Sequence, residues 1–274
     1  MNILVTLNAH YLKPLQVMLT SLFMNNAHED FTIYLIHSSI PEKQLQLLEQ
    51  FVCHQGHSLV IVETDKTLFA NAPVVKHYSS EMYYRLLAYR FLPTELDRIL
   101  YLDPDILVLN PIRPLYETNI DSYLYAAAQH SFINIQEINK FRLNAYEMDA
   151  YYNSGVLLMN LAKQRETMDI NDIFAYVETY RNRLVLPDQD VLNALYSPQI
   201  KNVDERLYNY DARYYRYYKL KSGGRFDIDA VLQQTVILHF CGKKKPWHKN
   251  YNGKFHSLYK HYEKQAFLNK SLGF

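Results

Sequence analysis

Glycine is scarce, at 7 of 274 residues. Phosphate cradles of the dinucleotide-binding and P-loop kinds need several glycines at fixed spacing, because backbone must approach a pyrophosphate closely. Neither Gly-x-Gly-x-x-Gly nor Gly-Lys-Ser/Thr occurs, which removes those classes. Cysteine is nearly absent too. Cys53 and Cys241 are too few for a zinc knuckle, and such sparse thiols fit a reducing, cytoplasmic compartment. The opening MNILVTLNAHYLKPLQ has no basic n-region, and Asn8 and His10 break its apolar run, so it does not read as a signal peptide. No run of about 18 apolar residues exists to span a bilayer. Net charge is 29 minus 28, or +1, and sets up no global field for nucleic acid.

What is present is an ordinary globular composition, 49% hydrophobic and 21% charged, with length enough for a large core. Tyrosine is abundant, at 25 residues; a phenol pairs an apolar face with a hydrogen-bonding tip and suits sugar-facing surfaces as well as cores. Apolar patterning alternates in type. NILVTL, FTIYLIHS and HSLVIVET read as strands; residues 14–26, with Leu15, Met18, Leu19 and Leu22 on one face, and PEKQLQLLEQFVCHQ, opened by Pro41, read as helices. The alternation predicts a parallel, doubly wound α/β sheet. SSEMYYRLLAYRFLP reads as one helix capped by Ser79 or Ser80 and stopped by Pro93. RILYL, YLYAAAQ, YYNSGVLLMNL and TVILHF are further strands, and helices are expected over 171–182, 188–196 and 254–267. Residues 133–148 read as a mixed, mobile insertion, and 204–226 resist assignment.

The block YLDPDILVLNP sets two carboxylates, Asp103 and Asp105, about a proline at the end of a buried strand. Pro104 has no amide donor and should end central pairing there. Ligands of open α/β sheets bind beyond the carboxyl ends of strands. An Asp-x-Asp in that place can chelate a divalent cation through hard oxygen ligands; Asp-Pro is also ordinary turn chemistry. His239 closes TVILHF at the same edge, and its imidazole beside two carboxylates suits manganese or a similar ion; a strand-end His is also commonly structural. The residues after it, Cys-Gly242-Lys-Lys-Lys245-Pro-Trp, combine a glycine that admits an anion with lysines to meet it.

With these blocks the chain resembles the retaining glycosyltransferases of family 8, which include bacterial lipopolysaccharide galactosyltransferases and glycogenin. LNAHY, YYRLLAYRFLP, YLDPDILVL, YYNSGVLLMN, LPDQDVLNALY and HFCGKKKPWH carry the resemblance in order over nearly the whole chain. It implies a nucleotide-diphospho-sugar transferase fold of the GT-A type, with a mixed, mostly parallel sheet flanked by helices, over residues 1–250, and a basic aromatic tail over 251–274. It implies Asp103, Asp105 and His239 as manganese ligands, with Pro104 setting the spacing of the pair. It implies Leu7, Asn8 and Tyr11 at uridine and Arg85 at sugar or phosphates. Asn153, Ser154 and Gly155 would line the donor sugar, and Gly242 and Lys245 would clasp the diphosphate.

Asp188 and Gln189 would lie by the reacting sugar, with Asp190 in reserve. An amide at 189 is a poor nucleophile, so the implied hexosyl transfer from a UDP-sugar with retention is expected to be a front-face substitution rather than the double displacement of retaining glycosidases. Each residue also has a plainer reading. Arg85 could pair with a surface carboxylate, Asn153-Ser-Gly could be a bulge, and Asp188 caps a helix in any case. Many family members have Asp at position 8 and Asn at position 10, so uracil and ribose contacts differ in detail here.

Residues 243–274 hold eight lysines against Glu263 with aromatics interleaved. Such a helix can lie on the inner face of an anionic membrane near a lipid-linked or glycan acceptor, or pack its aromatic side on the domain. Two other functions share the pattern: a non-catalytic UDP-sugar or carbohydrate-binding protein, and a sugar nucleotidyltransferase. The latter uses a glycine-rich loop after its first strand, and LNAHYLKP has no glycine.

Overall fold

The computed structural model describes residues 1–64, 81–129 and 135–268. Among these, ten strands form two sheets: β1 (Asn2–Thr6), β2 (Thr32–His37), β3 (Ser58–Glu63), β4 (Arg98–Leu102), β5 (Ile106–Val108), β6 (Tyr125–Ala128), β7 (Val156–Asn160), β8 (Ile200–Val203), β9 (Tyr210–Asp211) and β10 (Ile237–His239). The large sheet has the order β3-β2-β1-β4-β7-β6-β8, and the small one β5-β10-β9. Successive residues of β1 and β4 face opposite cores. Leu4 and Tyr101 join Leu157 and Val191 on one side, while Ile3, Val5, Leu100 and Leu102 join Leu19 and Leu158 on the other. A sheet covered on both faces explains why its strands read as unbroken apolar runs rather than alternating ones.

The large sheet is mixed and mostly parallel, as the resemblance implies. β7 runs antiparallel to both β4 and β6, while the other strand pairs of the large sheet are parallel. An antiparallel neighbour needs no crossover, so the connection between β6 and β7 stays at the carboxyl edge of the sheet. The start of β7, with Asn153, Ser154 and Gly155 before it, therefore meets the edge where β1 and β4 end. That connection contains the helix Ile135–Leu143, in the segment expected to be a mixed insertion.

Pro104 does end central pairing. β4 stops at Leu102, the chain turns through Asp103, Pro104 and Asp105, and β5 leaves for the small sheet. There His239 pairs in register with Ile106 and Asp211, which sets its imidazole beside the turn. The Asp103 amide donates to Gly155 O (2.8 Å) and the Phe240 amide to Asp105 O (3.0 Å), so the turn stitches both sheets together.

The helix expected over 79–93 is two short ones, Glu81–Tyr84 and Ala88–Phe91, separated by a turn at 85–87. The amides of Leu86 and Leu87 bond back to Tyr83 and Tyr84, and the break carries Arg85 toward the sheet edge. Its proposed caps Ser79 and Ser80 lie outside the described residues. The unassigned 204–226 region forms Glu205–Tyr208, β9, a 3-10 turn and the helix Tyr215–Lys221.

The C-terminal helix His256–Phe267 turns Tyr259 and Tyr262 inward, and with Phe255 they join a third core containing Leu107, Leu238 and Phe240. Lys260 and Lys264 stay exposed. Asn25, at the end of the helix Leu12–Met24, donates to Ser21 O (3.0 Å), Val108 O (2.9 Å) and the Tyr262 hydroxyl (2.8 Å). One amide thus ties a helix, the small sheet and the C-terminal helix. Asn25→Ala is expected to lower unfolding free energy by about 1–3 kcal/mol, the usual cost of stranding buried acceptors. A urea denaturation curve with unchanged slope and lower midpoint is the expected observation.

Candidate active site

Three strand ends build one cluster. Asp103 and Asp105 flank the Pro104 turn and His239 ends β10, and their ligand atoms lie within 4.8 Å of one another. His239 Nε2 is 3.3 Å from Asp105 Oδ1 and 3.9 Å from Asp103 Oδ2. Its Nδ1 is engaged by Asn209 Oδ1 at 2.8 Å, which leaves Nε2 to the carboxylates. Asp105 and His239 are buried and Asp103 is more open, so the cluster faces outward through Asp103. Gly155 is required for this approach: a Cβ there would stand 2.4 Å from His239 Cε1 and 2.6 Å from Asp103 Oδ2.

Cations hold the charge. Lys245 pairs with Asp105 and donates to Phe240 O at 3.0 Å. Burial alone would push the Asp105 carboxyl up, but His239 and Lys245 outweigh it and hold it well below the usual carboxylate range. Arg85, nearly buried, reaches Asp103 (3.1 Å) and Asp188 (3.3 Å), donates to Ser154 O (3.0 Å) and lies over the Tyr101 ring at 4.5 Å. Its Nε is buried and has no partner among the described residues. The Tyr101 hydroxyl donates to Asp103 Oδ1 at 2.5 Å, and burial keeps that phenol protonated. Asp188 is raised, first by burial, against the pull of Arg85 and Ser154.

Asp188 and Gln189 begin the helix Pro187–Tyr196, whose first turn points at the start of β7. Asp188 accepts from the Ser154 hydroxyl (2.9 Å), while Gln189 Oε1 accepts from Asn153 Nδ2 (3.1 Å) and the Ser154 amide (3.2 Å). Asn153, Ser154, Gly155, Asp188 and Gln189 are thus joined to Arg85 and the Asp103 cluster. Asp190 is wholly buried, and its carboxylate is bonded to Arg142 and Tyr151.

Around β1, Leu7 is buried, and Asn8 caps a 3-10 turn by accepting from the His10 amide (3.1 Å). Tyr11 is half-buried with its ring edge-on to Trp247 at 5.9 Å; its phenol is pushed up, first by burial, with Lys245 pulling it down and Asp105 and Asp103 adding to the rise. Gly242 adopts φ +86°, a left-handed conformation that favours glycine, and the Arg213 guanidinium packs where its Cβ would be. Sequence reading missed Asn209, Tyr101 and Arg213. Asn209 and Arg213 lie in the unassigned 204–226 region, and Tyr101 reads as core; only the Asp211–Arg213 spacing hinted at a pair, which forms at 2.6 Å.

Two hard carboxylate oxygens and an oriented imidazole nitrogen are a donor set for a divalent cation, and one bounded by cationic residues that could meet phosphate. Such a cluster at the carboxyl edge of an open α/β sheet lies where the ligands of these folds bind. The chain belongs to glycosyl transferase family 8, whose family model matches residues 2–251. It is 27% identical over 270 residues to General stress protein A of Bacillus subtilis, covering 96% of this chain and 92% of that one. It is 28% identical over 251 residues to the lipopolysaccharide 1,2-glucosyltransferase of Escherichia coli K12, covering 91% and 73%. The crystal structure of the galactosyltransferase LgtC with donor and acceptor sugar analogs superposes with a TM-score of 0.82 at 23% identity, covering 97% and 96%. That of GlyE from Streptococcus pneumoniae TIGR4 gives 0.71 at 20%, covering 98% and 63%. The fold is of the GT-A type.

Gly155→Ala is expected to displace His239 and Asp103, costing about 1–3 kcal/mol of stability by overpacking. The check is a thermal melt together with isothermal titration with Mn2+, where heat of binding should fall away even at temperatures at which the variant stays folded.

Proposed function

We propose that this chain is a metal-dependent, retaining hexosyltransferase that moves glucose or galactose from a UDP-sugar to a hydroxyl of a glycan or lipid-linked acceptor of the cell envelope. The observation that carries the reading is the convergence of Asp103, Asp105 and His239 beside Lys245 at the carboxyl edge of the sheet. The lipopolysaccharide 1,2-glucosyltransferase of Escherichia coli and the 1,3-galactosyltransferase of Salmonella typhimurium, both similar to this chain, support the hexose and the envelope acceptor. Residues 1–250 would form the catalytic domain.

Asp103, Asp105 and His239 would hold a divalent cation such as Mn2+, with Pro104 fixing the angle between the two carboxylates. Such an ion supplies positive charge against the charge that grows on a departing diphosphate. Lys245 and the Gly242 backbone would clasp that diphosphate, and Leu7, Asn8 and Tyr11 would hold the uridine. Arg85, already set between Asp103 and Asp188, would orient the sugar and its phosphate. In the transfer the bond from the anomeric carbon to the UDP oxygen breaks as a bond to the acceptor oxygen forms on the same face. The acceptor proton passes to the leaving phosphate oxygen.

Gln189, whose Oε1 accepts from Asn153 Nδ2 and the Ser154 amide, would lie by the reacting sugar and steady its cation-like form without forming a bond to it. Asp188, bonded to Ser154 and Arg85, would hold sugar hydroxyls. Asp190 has no exposed surface from which to attack. UDP release from UDP-glucose or UDP-galactose is expected only with Mn2+ present, and Gln189→Ala should lower it on the order of 100-fold with donor binding unchanged. Binding of UDP-sugar without any release, with or without added acceptor glycans, would favour a non-catalytic sugar-nucleotide-binding protein instead.

The helix His256–Phe267 presents exposed Lys260 and Lys264 away from buried Tyr259 and Tyr262, a surface suited to an anionic membrane face near a lipid-linked acceptor. Co-sedimentation with phosphatidylglycerol vesicles should fall when both lysines are replaced by Glu; unchanged binding would remove the membrane from the account.

A further inference from the structure

Asn209 follows the short helix Glu205–Tyr208, has no exposed surface, and is engaged at both ends of its amide. Its Oδ1 lies 2.8 Å from His239 Nδ1, and its Nδ2 donates to Asn153 Oδ1 at 2.9 Å. The Gly155 amide donates to the same Asn153 oxygen at 2.9 Å. On its other side Asn153 Nδ2 donates to Gln189 Oε1 at 3.1 Å, and the Ser154 amide donates to that oxygen at 3.2 Å. His239, Asn209, Asn153 and Gln189 thus form one line of hydrogen bonds between β10 and the helix Pro187–Tyr196.

The line has a direction, and two backbone amides set it. A backbone N–H can only donate, so the Asn153 atom facing Gly155 is its oxygen, as is the Gln189 atom facing Ser154. The oxygen that Asn153 turns to Gly155 is also the one it offers Asn209, and Asn209 must answer with its NH2. Its own oxygen then faces His239. An amide oxygen can only accept, so His239 Nδ1 must carry a proton. Turning the Asn209 amide over would set oxygen against oxygen at Asn153, a costly arrangement where no water replaces the lost bond.

The proton on Nδ1 decides what Nε2 can do. A neutral imidazole with Nδ1–H keeps its lone pair on Nε2, the nitrogen that faces Asp105 Oδ1 (3.3 Å) and Asp103 Oδ2 (3.9 Å). The opposite tautomer would aim an N–H at the place a cation takes. The backbone holds Asn209 to this task from both sides. Its amide donates to Glu205 O at 3.0 Å, and two residues later Asp211 pairs in register with His239.

We infer that Asn209 is a positioning residue for the metal site: its oxygen, aimed by Asn153 and the Gly155 amide, fixes the His239 imidazole in the orientation and tautomer that leave Nε2 open to a divalent cation. The inference rests on the proposed metal site. It also gives Gly155 a second purpose, since its amide sets the direction of the line while its missing Cβ admits His239.

Asn209→Ala removes the acceptor, and its Mn2+ affinity by titration calorimetry is expected to fall on the order of 10- to 100-fold, the usual loss when the outer partner of a histidine ligand goes. Asn209→Asp keeps an oxygen for Nδ1–H but has no donor for Asn153, and its Mn2+ affinity should stay within about threefold of wild type. Rescue by Asp separates orientation of the imidazole from a merely structural role, which both substitutions would disturb. The wild-type protein supplies a second measurement that needs no variant to fold. In 15N-labelled, metal-free protein, Nδ1 of His239, assigned through its own backbone, should show the shift of a protonated ring nitrogen at neutral and at alkaline pH. A bare Nδ1, wild-type Mn2+ affinity in Asn209→Ala, or equal losses in the two variants would overturn the role of Asn209 alone. A wild-type protein that binds no Mn2+ would overturn the role and the metal reading together.

Discussion

Two carboxylates placed two residues apart at the end of a buried strand repel each other and resist burial, and the rest of the structure is arranged around relieving that. Asp103 meets Arg85 and Tyr101; Asp105 meets Lys245 and His239. None of these partners is a neighbour of the pair in sequence except Tyr101. Arg85 arrives through a broken helix, His239 through a strand of the other sheet, and Lys245 through the loop beyond it. Fold and site are therefore one problem: the topology that brings these three segments to the Asp-Pro-Asp turn is what makes it tolerable.

The reversed strand β7 serves the same end. Were it parallel, Asn153, Ser154 and Gly155 would start at the opposite edge of the sheet, far from Asp103. Running backward, it delivers them to the carboxyl edge, and Gly155 lets His239 and Asp103 close up against its backbone. The connection that makes this possible carries the helix with Arg142, so the insertion and the reversed strand act on the same helix, Pro187–Tyr196, from two sides.

Much of this was legible in the residues. The apolar runs mark β1, β2, β4 and β10, Pro104 marks the turn, and six motifs in order mark the family. The direction of β7 was not, because a strand buried on both faces reads alike in either sense, and only pairing decides it. The break at Arg85 was hidden too, since Glu81 to Phe91 has unbroken helical spacing; two carboxylates outweigh a few residues of helix propensity. Asn209 and Arg142 had no local signature. An amide or guanidinium within an unassigned or mixed segment looks like surface until the partner it faces is known.

The central claim is that Asp103, Asp105 and His239 hold a divalent cation that in turn holds the diphosphate of the donor. It is tested most directly by the equilibrium affinity for UDP, measured by titration calorimetry with and without Mn2+ in the wild-type protein and in His239→Ala. The account predicts that Mn2+ tightens UDP binding strongly in the wild type and that most of this gain is lost in the variant. Equal UDP affinity with and without the ion in the wild type, or an undiminished gain in His239→Ala, would contradict it.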